Sequence, residues 1–217
     1  MTAQAMPRSR TQTVGLLAAT AASPLLVYAC DRGLLHLIAP MGQPWIDMAL
    51  ARPASFVVCG LLFLGLVQEQ AARLPWPQSL RLAIIVGLVF ALASAVGVAG
   101  GAFSPTLPGS ALIGFLLLGL MAEEWLFRGV VFEAFRRLAP WGDRGAVIGS
   151  ALLFAVSHLG YHSFQPTPAA LQQVAYTLPL GLALGWLRLR TGRIILPGAL
   201  AHLMFNLAGL LATAALR

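Results

Sequence analysis

The chain has 217 residues, of which 59% are hydrophobic and only 10% charged, where soluble domains carry about a quarter charged residues. That composition, with a mean hydropathy of +0.82, excludes an ordinary soluble domain and points to a membrane-embedded, all-α bundle. The formal net charge of +7 comes from arginines scattered between apolar runs rather than gathered in a patch, so they read as topology determinants and no nucleic-acid partner is expected.

Seven spans are expected in chain order, near 13–30, 53–68, 81–103, 109–135, 145–160, 169–188 and 194–215, with six to eight possible. Residues 31–52 are ambiguous between an interfacial helix and a further broken span. Cys30 and Cys59 match no metal or redox spacing and read as small packing residues. Turns are expected near Pro140–Gly142 and Thr191–Gly192. With the N-terminus cytoplasmic, ten arginines fall on that side, including Arg8, Arg10, Arg73, Arg188 and Arg193. Only Arg32, Arg52 and Arg217 fall on the other. The use of arginine to the exclusion of lysine suggests a GC-rich bacterial genome, hence the bacterial inner membrane. One integral membrane domain over 1–217 is expected, surrounded by membrane lipid, with no indication of oligomeric state.

The fourth span carries "GLMAEEWLFRGVVF", Gly119 to Phe132. Ionisable groups in hydrocarbon are costly and usually face a partner or a functional cavity. Glu124 and Arg128 are spaced i,i+4 with the acid first, which suits a structural pair on one helix face. Glu123 points about 100° away, which leaves it for chemistry, although the opposite assignment stays open. Glu133 precedes Arg136 and Arg137 by three and four residues and reads as an ordinary solvated surface pair.

His158 follows Phe154 by one turn in "FAVSH", and Asn206 follows His202 by one turn in "HLMFN". Antiparallel hairpins bring these positions to comparable depth with Glu123. Taken singly, each histidine or asparagine reads as a helix–helix hydrogen-bonding residue, and Phe154 as packing. Together they make a polar cluster: Glu123, Glu124, Arg128, His158, His202 and Asn206. "GLALG", Gly181 to Gly185, reads as close helix packing, and His36 and His162 as loop positions at the surface.

"EEWLFRG" resembles an EExxxR motif, "FAVSH" an FxxxH motif and "HLMFN" an HxxxN motif. In order and spacing they are similar to the CPBP intramembrane protease family of type II CAAX prenyl endopeptidases and bacteriocin-processing or self-immunity proteins, over about residues 109–210. The resemblance implies an intramembrane endopeptidase acting on a membrane-associated peptide or protein. It implies Glu123 and His158 as activators of water, His202 and Asn206 as the oxyanion site, and Glu124, Arg128 and Phe154 as supporting residues. No cofactor is required on that account. The alternatives are a zinc protease with Glu123, His158 and His202 as ligands, and a non-catalytic immunity or partner protein of the same fold. A transporter or bis-histidine haem protein is a more remote one.

Overall fold

The computed structural model describes residues 10–38, 44–62, 75–101, 115–138, 140–192 and 194–216. Among them every regular element is helical: α1 (Arg10–Ala21), α2 (Ser23–Ile38), α3 (Pro44–Leu62), α4 (Trp76–Ala99), α5 (115–138), α6 (Gly142–Ser157), α7 (Pro168–Arg190) and α8 (Leu196–Ala215). A single 3₁₀ turn, His158–His162, extends α6. The arginines at 8, 73, 193 and 217 lie outside the described residues.

Helix boundaries depart from the sequence expectation chiefly in the N-terminal part. The first expected span is two helices meeting at 54°. Pro24 at the start of α2 has no N–H to continue the ladder of α1, and its ring crowds the preceding turn. The hydroxyl of Thr20, bonded back to the Leu16 carbonyl at 2.7 Å, loosens that same turn. The ambiguous stretch 31–52 is helical on both sides of 39–43, so His36 is an exposed helix residue rather than a loop residue. α3 begins at Pro44, not near 53, and carries Pro53 in its interior.

By length and apolar composition, two described helices, Trp76–Ala99 and Leu196–Ala215, suffice to cross a bilayer, or three if the bent α1–α2 pair is one span. Seven spans are therefore not established by this criterion. The outward faces are nonetheless apolar: α4 exposes Ile84, Ile85, Leu88, Val89 and Leu92, and α6 exposes Ile148, Leu152 and Val156. Such faces belong in lipid, and the protein is an integral membrane protein.

The core lies around α5, where Leu126, Phe127 and Val130 meet Phe56 of α3, Phe154 of α6 and Leu180 and Leu184 of α7. α6 and α7 approach closely through small residues, as expected of "GLALG". A Cβ at Gly181 would stand 3.1 Å from Ala151 Cα, and one at Gly185 3.3 Å from Val147 Cγ1. The turn between α5 and α6 falls at the expected place, with Gly142 in the left-handed region at φ 52°, as is Gly192 at φ 71° between α7 and α8.

Glu133 is not a solvated surface residue. It is 3% exposed and accepts from Arg136 at 2.9 Å, with Arg137 at 3.5 Å and Arg188 of α7 at 3.8 Å. Arg188, expected at the cytoplasmic end of the sixth span, is buried in α7. A carboxylate removed from water needs its charge matched, and here the match ties α5 to α7.

Candidate active site

α5 is irregular where the carboxylates stand. An α-turn, Leu120–Glu124, is flanked by π-helical stretches at Phe115–Gly119 and Trp125–Val131. Such widenings turn side chains away from the regular helical register and recur at functional sites. Both glutamates and Arg128 are buried, Glu124 completely.

The expected Glu124–Arg128 pair forms, with Nη1 3.3 Å from Oε1. The contact is an ion pair rather than a hydrogen bond, and the guanidinium nitrogens find no hydrogen-bond acceptor among the described residues. Arg128 rests instead over the Phe154 ring, its Cζ 4.0 Å from the centroid, an arrangement that gains strength when both partners are dry.

Sequence spacing missed a second partner of Glu124. His202 Nδ1 lies 3.0 Å from the same Oε1. The carboxylate accepts, so Nδ1 carries the proton. In the neutral ring Nε2 is then an acceptor. His158 is held the same way round, since Nδ1 lies 2.8 Å from the Phe154 carbonyl oxygen. Each histidine thus has its tautomer set by the bond behind it.

Phe154 is the hub of the cluster. Its ring meets those of His158 at 4.7 Å, His202 at 5.7 Å and Phe127 at 5.4 Å between centroids, all edge-on.

Glu123 and Asn206 are placed less directly. Glu123 makes no hydrogen bond or ion pair to another described residue, but Arg52, Arg128 and the His202 ring lie within electrostatic reach. His158 has the same three neighbours. Asn206 is half-buried one turn beyond His202. The structure therefore brings Glu124, Arg128, Phe154, His158 and His202 into contact, with Glu123 at their edge. Among the described residues, no three His, Cys, Asp or Glu side chains are gathered as a metal ion would need, and Glu123, His158 and His202 are no exception.

Five further residues shape the site without a signal in the motifs. Gly198, in the first turn of α8, leaves room for Glu124: a Cβ there would stand 3.1 Å from Oε2. Ser163 and Phe164 follow the His158 turn with φ of 53° and 57°, costly for residues with side chains. Tyr28 of α2 packs against that bend, 5.2 Å from the Phe164 ring. α3, which carries Arg52, packs against the Leu120–Glu124 turn. His162 is half-buried rather than a free surface residue and bonds Gln173 at 2.9 Å.

Residues 105–208 match the family described as type II CAAX prenyl endopeptidase Rce1-like. The resemblance carried by the three motifs therefore holds over that segment, just under half of the chain, and the segment contains every side chain of the cluster except Arg52. No curated protein and no solved structure matches the chain.

Proposed function

We propose that this Rce1-like protein is an intramembrane endopeptidase that hydrolyses a peptide bond in a membrane-associated peptide or protein, with Glu123 and His158 activating water and His202 and Asn206 stabilising the oxyanion. The observation that carries the reading is the contact set of Glu124, Arg128, Phe154, His158 and His202, assembled from three helices within the matched segment.

Amide hydrolysis needs a base for the water proton and donors for the oxygen that becomes negative. Glu123, with no hydrogen bond or ion pair to another described residue, is the carboxylate free to accept that proton. His158, turned so that Nε2 holds its lone pair, orients the same water. The hydroxide attacks the carbonyl carbon, the C=O pair moves to oxygen, and the proton passes from Glu123 to the departing amine as the C–N bond breaks. Asn206 donates its amide hydrogens to the oxyanion. His202 has its Nδ1 proton committed to Glu124, so donating from Nε2 requires the doubly protonated ring, for which Glu124 is the counter-ion.

The mechanism needs no metal. Seven spans in one domain over 1–217, with a cytoplasmic N-terminus in a bacterial inner membrane, complete the proposal. It is tested by reconstituting the protein in nanodiscs with a library of membrane-anchored peptides and mapping products by mass spectrometry. Cleavage that disappears in E123Q and H158A supports it. A cellular phenotype untouched by both substitutions would favour the non-catalytic partner reading instead.

A further inference from the structure

Outside the matched segment, α2 and α3 bring a charged pair to the edge of the site. Arg52 donates from Nε to Oδ1 of Asp31 at 3.1 Å and from Nη2 to Oδ2 at 2.9 Å. A two-pronged contact fixes the plane of the guanidinium as well as its position. Asp31 is buried, with a side chain 4% exposed against 15% for Arg52.

Both members are anchored to the helices of the cluster. Asp31 stands one turn after Tyr28, which packs on Gly160 and Phe164 just beyond His158. Arg32, beside Asp31, reaches Ser163 in the same bend at 3.4 Å. Arg52 stands one turn before Phe56, whose ring meets that of Phe127, itself one turn after Glu123. α2 packs on the His158–His162 turn and α3 on the Leu120–Glu124 turn, so the Asp31–Arg52 tie stands between the two, and the guanidinium charge acts on both Glu123 and His158.

The charge inventory gives Arg52 its meaning. Glu124 has Arg128 against it and accepts from His202. Glu123 has no cation in contact among the described residues. The Asp31–Arg52 pair is neutral as a whole, but its positive end is the one that bears on Glu123 and His158.

We propose that Arg52, held by Asp31, completes the site from outside the family segment, as a positioning residue whose charge stabilises the negative charge that starts on Glu123 and passes to the substrate oxygen. The inference rests on the peptidase reading above. During hydrolysis the negative charge moves a few ångströms, and Arg52 adds to Arg128 a second fixed cation that needs no reorganisation as the reaction proceeds.

The test uses the full chain in nanodiscs and whichever library peptide the wild type cleaves. R52M lowers kcat by about tenfold or more, with KM within about twofold, while R52K recovers most of the loss. The charge swap D31R/R52D rebuilds the tie between α2 and α3 with reversed polarity. Its thermal midpoint returns toward wild type while kcat stays at the R52M level. A swap that restores kcat, or R52M cleaving like wild type, overturns the proposal and leaves Arg52 a helix tie. Should the swap not fold, R52M against R52K decides. Cleavage that survives in E123Q sinks the peptidase reading and the role of Arg52 with it, whereas cleavage lost in E123Q yet intact in R52M sinks only the latter.

Discussion

His202 and Glu124 share a hydrogen bond of 3.0 Å between residues 78 positions apart, and Arg128 faces the same carboxylate oxygen at 3.3 Å. One glutamate oxygen thus holds a ring from α8 and a cation from its own helix. The neighbouring carboxylate of Glu123 holds neither. Two adjacent glutamates are therefore expected to fail in different ways when replaced.

Glu124→Gln leaves the Arg128 charge buried without its counter-ion. Removing one partner of a buried pair costs about 3–5 kcal/mol, so the thermal midpoint in detergent falls sharply along with cleavage. Glu123→Gln abolishes cleavage by a factor of about a hundred or more and leaves the midpoint unchanged or raised, because no pairing is broken. Parallel melting and cleavage assays check this, and equal stability losses in the two variants would contradict the division of labour.

Gly198→Ala places a methyl group 3.1 Å from Glu124 Oε2, so the carboxylate must yield by a few tenths of an ångström against its bond to His202. Overpacking of this kind costs about 1–3 kcal/mol, and kcat is expected to fall several-fold. Gly129→Ala is the control, since its Cβ would find only ordinary contacts at 3.4 and 3.5 Å. It should melt and cleave like wild type.

Phe154→Leu removes the aromatic face beneath Arg128 and the edge contacts to both histidines. The cation–ring term is worth about 2 kcal/mol when dry, and the lost packing adds to it. Phe127→Leu, at an equally buried ring that meets only phenylalanine rings among the described residues, should destabilise comparably while sparing more of kcat. The ratio of kcat loss to stability loss in the two variants is the measurement.

Cleavage is expected to persist in excess chelator, because in the proposed mechanism Glu123 and His158 activate the water directly. Activity lost on chelation and regained with zinc would reassign Glu123, His158 and His202 to ligand roles.

What the sequence made legible were relations within one helix or one hairpin. Glu124 and Arg128 pair because four residues bring them to the same face, and the Gly181 and Gly185 contacts follow from small residues at helical spacing. Beyond the polar cluster that the three motifs pointed to, relations between distant helices were not legible. Glu133 has Arg136 and Arg137 as near neighbours in the chain, so nothing in its surroundings announced Arg188 of α7 or burial. Arg52, at the end of an ambiguous stretch, read only as a topology arginine for the same reason: its partner Asp31 and its nearness to Glu123 exist only once α2 and α3 have docked. The bend between α1 and α2 had a local cause in Pro24, yet an apolar run looks continuous to a hydropathy window.

The helix that carries His202 and Asn206 has its broadest packing against α4, where a Cβ at Gly87 would come 3.2 Å from the Cα of Ala201. α4 ends before residue 105, so the stretch that bears the motifs does not contain the surface on which its own last helix leans. An excised fragment trimmed to that stretch would keep every signature letter and lose the buttress, making it a poor stand-in for the whole chain in any experiment on catalysis.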